Sequence, residues 1–397
     1  MKLTFNVRRV LAWLAIIPHL LRRKTSSGWF LPEIDGLRFV AIATVLAVHV
    51  MAYTFGNPAP APAWLKDHYE HLARGVQLFF VISGFVIAMP FVKRLRESKT
   101  PPPLKEFYVR RLTRLEPPFL IAMLLTYVAL VTVHHSSALE LLPHLLATCT
   151  YTHAIIYGSK SPIAFITWSL EIEVQFYLIA PLIMTALTYR PSVRRALLTG
   201  FAFASLVIRT FIAVSHPVLA ASLLAYLPYF IAGILVCDFA IANDFWRNRR
   251  SRVWDAAGSL ALAAAYSMPS AAPAGTAVMS ALFGVAVLSV FRGVLLKTLM
   301  SLAWITAIGG MCYTIYLLHV PLIYLWGHAT KKLLTRNHPL INTGIQFLLL
   351  PLPVLAICSL FFLAIEKPCM NKHWPQDVMC RVRFTKLKRP QVEIANV

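Results

Sequence analysis

The chain has 397 residues, of which 58% are hydrophobic and only 14% are charged, and its formal net charge is +22. Because a soluble domain carries about 25% charged residues, this composition excludes an ordinary soluble protein and predicts an all-α, polytopic membrane helix bundle. Most of the 38 lysines and arginines fall in loops predicted on one side of the membrane, a bias that sets orientation, so the positive charge does not require a nucleic-acid partner.

The first apolar stretch, residues 10–21, is too short to span a membrane and has basic clusters on both sides. A signal peptide would need small residues after the apolar run, where this chain has Arg22, Arg23 and Lys24. We therefore expect residues 1–33 to form a cytoplasmic segment with a helix lying on the membrane surface.

Ten further stretches have the length and apolarity of membrane-spanning helices. They cover residues 34–55, 73–92, 116–133, 166–188, 196–214, 218–241, 253–270, 275–291, 303–327 and 341–365. Basic connections fall on alternate turns, which predicts that both chain ends are cytoplasmic. The predicted organisation is a ten-helix domain over 34–366 and a basic cytoplasmic tail over 367–397, with the loop 134–165 on the far side.

The six cysteines contain no CxxC pair, and the thirteen histidines contain no HExxH motif. These patterns predict neither a disulfide framework nor a metal site. We also find no phosphate-binding glycine loop.

The first span carries three ionisable residues, Asp35, Arg38 and His49. Arg38 and His49 are eleven residues apart, so they return to nearly the same helix face, roughly 16 Å apart along the axis. An ionisable group inside a membrane is a functional-site hypothesis by default. The alternatives are that Arg38 extends to the headgroups and that His49 only packs, but the shared face favours a site.

Two further motifs begin the next spans. In GVQLFFVISGF (75–85), Ser83 and Gly84 would permit close helix packing. In FYVRRLTRLEPP (107–118), Arg111 and Arg114 share one helix face with Arg110 beside them, and clustered guanidinium groups suit phosphate. An ordinary basic loop that binds anionic lipid is the alternative.

The fourth span contains TWSLEIEVQFYLIAP (167–181), with Glu171 and Glu173 on nearly opposite faces. Counted from the outer ends of the predicted spans, His49, Glu173 and His319 fall in one layer, roughly 9–12 Å below the far surface. A histidine oriented by a carboxylate, with arginines on the inner side, is suited to proton transfer.

Together these motifs resemble the acyltransferase-3 family, the integral-membrane O-acyltransferases of bacteria. The matching stretches are IDGLRFVAI followed by His49, GVQLFFVISGFVIA, FYVRRLTRLEP, TWSLEIEVQFYLIAPL, YTIYLLHVPL and IEKP, in order over about residues 33–370. Two positions depart from the family pattern. Gln77 stands where the family usually has an aspartate, and Cys312 replaces a serine before Tyr313.

The resemblance implies transfer of an acyl group, expected to be acetyl, from cytoplasmic acyl-CoA to a hydroxyl of a cell-surface or exported saccharide or a lipid-linked acceptor. It also implies a location in the bacterial inner membrane. His49 would be the essential histidine, Arg38 its companion and Glu173 the glutamate of the W-S-L-x-x-E pattern. Further residues expected to line the site are Asp35, Ser83, Trp168, Ser169, Tyr313, Tyr316 and His319.

In the mechanism that this resemblance implies, acyl-CoA is a substrate and no bound cofactor is expected. The CoA nucleotide would dock at Arg110, Arg111 and Arg114. His49, held by a carboxylate such as Glu173, would take the acceptor hydroxyl proton during direct transfer, with a covalent acyl-enzyme as the less favoured route.

Two other functions fit some of the same residues. Buried His, Arg and Glu could form the proton path of a transporter or flippase, although the sequence shows none of the repeats that transporters often have. A non-catalytic scaffold is a third alternative, against which the retained Arg38 and His49 argue.

Overall fold

The computed structural model describes residues 16–23, 30–55, 69–245, 249–268, 272–334, 338–371 and 374. Over these residues the chain forms helices and turns with no strand, which confirms the predicted all-α class. The longer helices are α1 Pro32–Phe55, α2 Gly75–Arg96, α3 Leu104–Thr132, α4 Ala138–Cys149, α5 Trp168–Met184, α6 Pro191–Ile212, α7 Leu223–Ala242, α8 Arg252–Ser267, α9 Pro273–Arg292, α10 Ala303–Gly310, α11 Cys312–Thr330, α12 Pro339–Leu349 and α13 Pro351–Phe361.

Eight helical stretches among the described residues are long and apolar enough to cross a membrane, and α10 with α11, bent by 72°, makes a ninth if the two are counted as one span. The predicted multi-pass architecture is therefore confirmed. The predicted span 253–270 differs, because α8 has 16 residues and is about 24 Å long, whereas the hydrocarbon core is about 30 Å thick. By length and composition the described spans number eight or nine, instead of ten.

Helix α8 nevertheless pairs with α9 as an antiparallel hairpin. The amide of Ser251, just before α8, donates to the carbonyl of Arg292 at 2.9 Å. The Asp255 carboxylate accepts from the amides of Leu295 and Leu296, just after α9, at 3.0 and 2.9 Å. The chain therefore leaves this hairpin at the end of the bundle where it entered.

The contact between α2 and α7 depends on two glycines. A Cβ at Gly84 would lie 2.0 Å from the carbonyl oxygen of Phe230, and a Cβ at Gly233 would lie 2.0 Å from that of Val81. Helices in lipid associate through such close packing of small residues, since no hydrophobic force drives them together. The close packing predicted from Ser83 and Gly84 is confirmed.

Basic residues lie at one end of the bundle, where they form ion pairs that link α2 and α6 to the end of α7. Arg96 at the end of α2 donates to both carboxylate oxygens of Asp244, just after α7, at 2.7 and 2.6 Å. Arg194 and Arg195 at the start of α6 both contact Asp238 in α7. The helix ends predicted to share one side of the membrane therefore lie together, and we call this the basic end.

Helix α4 turns back into the bundle along α3. The Tyr127 hydroxyl donates to the carbonyl of Ala138, where α4 begins, at 2.9 Å. Tyr151, just past the end of α4, stacks on Phe119 with ring centroids 4.6 Å apart. Positions 127 and 119 are about 12 Å apart along α3. The loop 134–165 therefore packs along α3 inside the bundle, whereas the sequence predicted only a connection on the far side. Its helix is too short to have been recognised as a membrane segment.

The N-terminal segment is fixed to the basic end. Residues 16–20 are helical, while residues 10–15 of the predicted surface helix lie outside the described residues, as does most of the predicted tail. Lys367 contacts the carbonyl of Leu20, and Arg23 pairs with Asp35 at the start of α1 at 2.7 Å.

Candidate functional site

A cavity of about 590 Å³ extends from the basic end into the bundle. Its lining contains eight basic side chains and three acidic ones. The basic residues are Arg23, Arg38, Lys93, Arg94, Lys99, Arg110, Arg111 and Arg114, and the acidic residues are Glu97, Glu173 and Glu366. A concave surface with this excess of positive charge attracts anionic ligands.

The three arginines of the FYVRRLTR motif differ in the contacts that their guanidinium groups already make within the protein. Arg110 pairs with Glu106 and is 40% exposed. Arg111 donates to its own helix at the carbonyl of Phe107, at 2.8 Å, and lies over the Phe107 ring. The Nε atoms of Arg110 and Arg114 are both buried without a hydrogen-bond partner among the described residues, but Arg114, unlike Arg110, has no acidic side chain paired with it there. Arg114 is therefore the guanidinium most available to a ligand in the cavity.

The Asp35 carboxylate is wholly buried between two guanidinium groups. Arg38 Nη1 and Arg23 Nε each lie 2.7 Å from it. Burial, and then repulsion from Arg38, lowers the pKa of Arg23 to about 10, so Arg23 remains protonated at neutral pH. Both arginines line the cavity. Asp35 is not among the lining residues, contrary to the sequence prediction, because the arginines cover it.

Glu173 faces the cavity and joins α2 to α5. One of its oxygens accepts from Ser83 at 2.7 Å and from Tyr177 at 2.5 Å. The predicted hydrogen bond between Glu173 and His49 is not formed in the described part of the chain. Phe165, which precedes α5, already contacts the His49 ring with centroids 5.6 Å apart, so Glu173 lies about 12 Å deeper. The sequence estimate was wrong because α5 starts at the level of His49.

His49 and His319, in contrast, are brought together from α1 and α11. Nδ1 of His49 lies 3.2 Å from Nε2 of His319, and the ring centroids are 4.8 Å apart. His49 Nδ1 is also 2.8 Å from the carbonyl oxygen of Val45. His319 is fully buried, whereas His49 is half-buried. Of the two histidines, His49 is the one that an incoming molecule can reach.

Tyr316 lies between the cavity and the histidine pair. It lines the cavity, and its ring centroid is 5.9 Å from that of His319. Its hydroxyl donates to the Ile166 carbonyl at 2.7 Å and lies 2.6 Å from Ser169 Oγ. Neither His49 nor His319 lines the cavity. The candidate site therefore has two parts, a basic cavity and a histidine pair, with Tyr316 at their junction.

The remaining predicted residues are divided between lining and packing. The Tyr313 hydroxyl donates to the carbonyl of Leu115 at 3.0 Å, and Tyr313 and Cys312 line the cavity. Trp168 packs on Tyr226 with centroids 5.5 Å apart and is not a lining residue. The side-chain oxygen of Gln77 is buried without a hydrogen-bond partner among the described residues.

Glu171 is directed away from the cavity, as its spacing predicted. It is buried and accepts from the amide of Ala154 at 2.9 Å. It therefore anchors the segment that follows α4 to the start of α5.

Sequence reasoning missed several lining residues, among them Glu366 and Tyr151. Glu366, in the one-turn π-helix Phe362–Glu366, accepts from the amide and hydroxyl of Thr314 at 3.1 and 2.5 Å. The IEKP stretch was a signal for it, since it matched the family without an assigned role. Tyr151 has a positive φ of 56°, a conformation that costs a bulky side chain about 1–3 kcal/mol. No sequence pattern indicated that Tyr151 reaches the cavity.

The fold and the site define a multi-pass membrane protein with an anion-attracting cavity that leads to a histidine pair. A family model described as an acyltransferase domain matches residues 31–365. The chain therefore belongs to the acyltransferase-3 family, which confirms the resemblance and the predicted class of enzyme.

Individual relatives match over shorter lengths. The chain is 30% identical to the peptidoglycan O-acetyltransferase OatA of Listeria monocytogenes over 163 residues, which is 38% of this chain and 24% of the relative. It is 30% identical to the O-acetyltransferase OatA of Staphylococcus aureus over 190 residues, which is 45% of this chain and 28% of the relative. The matched region thus covers about a quarter of these relatives' length. No solved structure matches this chain.

Proposed function

We propose that this protein is a membrane O-acyltransferase that moves an acyl group, acetyl in the first instance, from acyl-CoA to a hydroxyl of a saccharide or lipid-linked acceptor across the membrane. Family membership and the O-acetyltransferase names of the relatives support the reaction class. The name of the Listeria relative, a peptidoglycan enzyme, supports a saccharide acceptor.

The basic cavity is the observation that carries the donor assignment. CoA has a diphosphate and a 3′-phosphate at one end and a long, thin pantetheine arm that ends in the thioester. The phosphates would bind at the basic end, where guanidinium groups match phosphate oxygens, with Arg114 the freest of them. The arm would extend inward past Ser83 and Glu173. The thioester would then lie near Tyr316, at the junction with the histidine pair.

His49 would act from the opposite side as the general base. Its ring contacts Phe165, which belongs to the segment between α4 and α5. The acceptor oxygen would attack the thioester carbonyl carbon while its proton passes to His49. The new C–O bond forms, the C–S bond breaks, and CoA leaves as the thiolate, to which the imidazolium then returns the proton. Such general-base help contributes roughly 10²–10⁴-fold.

This orientation places the basic end and both chain ends in the cytoplasm of a bacterial inner membrane. The gathering of Arg96, Arg194 and Arg195 at one end supports it through the positive-inside rule. The acceptor would approach from the far side, past the segment 158–167.

A comparison of surface glycans tests the proposal. Mass spectra from cells that lack this gene, from wild-type cells and from complemented cells should differ by acetyl groups that are lost on deletion and restored by complementation. Unchanged glycan acylation in the deletion strain would contradict the proposal.

A transporter or flippase remains the second candidate, and the 72° bend between α10 and α11 is the observation that favours it, because broken helices are typical of transporters. Consumption of acetyl-CoA by the purified protein in lipid vesicles, dependent on an added acceptor, separates the two functions. A transporter would leave acetyl-CoA intact.

A further inference from the structure

The two ring nitrogens of His319 have different surroundings. Its Nδ1 lies 3.0 Å from the carbonyl oxygen of Ile315 and 2.8 Å from that of Tyr316. A carbonyl oxygen can only accept a hydrogen bond, so Nδ1 carries the proton. In a neutral imidazole the other nitrogen, Nε2, then has the free lone pair. His319 is fully buried, and a positive charge there would be costly.

The neighbouring nitrogen of His49 is therefore a donor. His49 Nδ1 lies 2.8 Å from the Val45 carbonyl oxygen and 3.2 Å from His319 Nε2. Both neighbours are acceptors. A lone pair on His49 Nδ1 would therefore face the lone pairs of the Val45 oxygen and of His319 Nε2, with no proton between them. A proton on Nδ1 can be shared between these two acceptors, and Nε2 of His49 is then the unprotonated, basic nitrogen.

We infer that His319 is a positioning residue that, together with the Val45 carbonyl oxygen, holds His49 in the tautomer with the proton on Nδ1, and so leaves Nε2 free to accept the acceptor's proton. His319 has the role for which sequence analysis had proposed Glu173. The catalytic consequence rests on the proposed function, whereas the tautomer is a property of the protein itself.

Variants of His319 separate this role from simple packing. A glutamine at 319 can place its side-chain oxygen near the position of Nε2 and keep an acceptor for His49. An asparagine has the same amide but is one methylene shorter and cannot reach. His328, which is exposed in the last turn of α11, is the matched control for a histidine substitution on the same helix.

The direct test is nuclear magnetic resonance of the full chain in lipid bilayers with ¹³C,¹⁵N-labelled histidine. The thirteen histidines give overlapping signals, and those of His49 are assigned by their loss in His49→Gln. We expect the His49 proton on Nδ1 in the wild type and in His319→Gln, and a larger fraction of His49 protonated on Nε2 in His319→Asn, where the Val45 carbonyl oxygen remains as an acceptor for Nδ1 but the His319 lone pair is lost. A proton on Nε2 in the wild type, or no change in His319→Asn, overturns the inference.

Kinetics test the consequence separately. His319→Asn should lower kcat by roughly 10-fold or more, part of the roughly 10²-fold that a general base supplies, with the KM for acetyl-CoA unchanged. His319→Gln should retain most of kcat, and His328→Asn should retain all of it. Equal losses in His319→Asn and His319→Gln would contradict the positioning role. If the wild type transfers no acyl group, the proposed function fails while the resonance measurement still decides the tautomer.

Discussion

Arg114 should be the most important of the three clustered arginines for binding acetyl-CoA. Its Nε is buried without a partner, and unlike Arg110 it forms no ion pair with an acidic side chain among the described residues. Arg114→Gln therefore removes charge-assisted hydrogen bonds to the ligand and breaks none that the described residues form. Such bonds contribute about 1.5–3 kcal/mol, which corresponds to about a 10- to 150-fold rise in the dissociation constant. Because the phosphates are remote from the reacting bond, the loss should appear in KM with kcat little changed.

Arg110→Gln should have a much smaller effect. Arg110 is 40% exposed and already paired with Glu106, and exposed ion pairs contribute about 0–1 kcal/mol, so we expect about a five-fold change or less. Arg111→Gln should fall between the two, since its guanidinium group already contacts Phe107.

The assay is the KM for acetyl-CoA with purified variants in lipid nanodiscs, together with calorimetric binding of free CoA. Arg190→Gln is the charge-matched control, because Arg190 is exposed at the start of α6 and does not line the cavity. Equal effects of Arg110, Arg114 and Arg190 would refute the reasoning. They would indicate only a general attraction of the basic end for anions.

Three other substitutions have expected outcomes of different kinds. Gly233→Ala should destabilise the protein by about 1–3 kcal/mol or more, because the new Cβ meets the Val81 carbonyl, and its thermal unfolding midpoint should fall. Gly200→Ala should leave the midpoint unchanged, because a Cβ there has nothing within 4 Å. Asp35→Asn should destabilise the protein by about 3–5 kcal/mol, since it leaves Arg23 and Arg38 buried side by side; an unchanged midpoint in the same assay would count against this. Glu173→Gln should leave the His49 tautomer unchanged in the resonance spectrum, and a shifted proton would restore the carboxylate as the partner of His49.

The membrane architecture could be predicted because it depends on local composition. Runs of about twenty apolar residues with basic ends define most spans without knowledge of the contacts. The close packing that Ser83 and Gly84 predicted is formed against α7, whereas the partners, Gly233 for Gly84 and Asp244 for Arg96, are known only from the structure. The span over 253–270 was overestimated because the apolar run extends beyond the end of α8 at Ser267.

The arrangement of the site could not be predicted to the same extent, because it depends on depth and on distant contacts. Counting residues from the predicted outer ends placed His49 and His319 in one layer, where the structure joins them. The same count failed for Glu173, since it assumed that α5 begins at the far surface. Nothing in the sequence indicated that Arg23 returns to Asp35 or that α4 brings Tyr151 to the cavity.

The central claim is that His49 accepts the acceptor's proton, and the most direct measurement is acetyl transfer by His49→Gln at matched membrane levels. Glutamine retains hydrogen bonding but cannot accept a proton at neutral pH. We therefore expect His49→Gln and His49→Ala to insert normally, to bind CoA as the wild type does, and to lose transfer by roughly 10²-fold or more. Transfer by His49→Gln close to the wild-type rate would contradict the mechanism and would make His49 a packing residue.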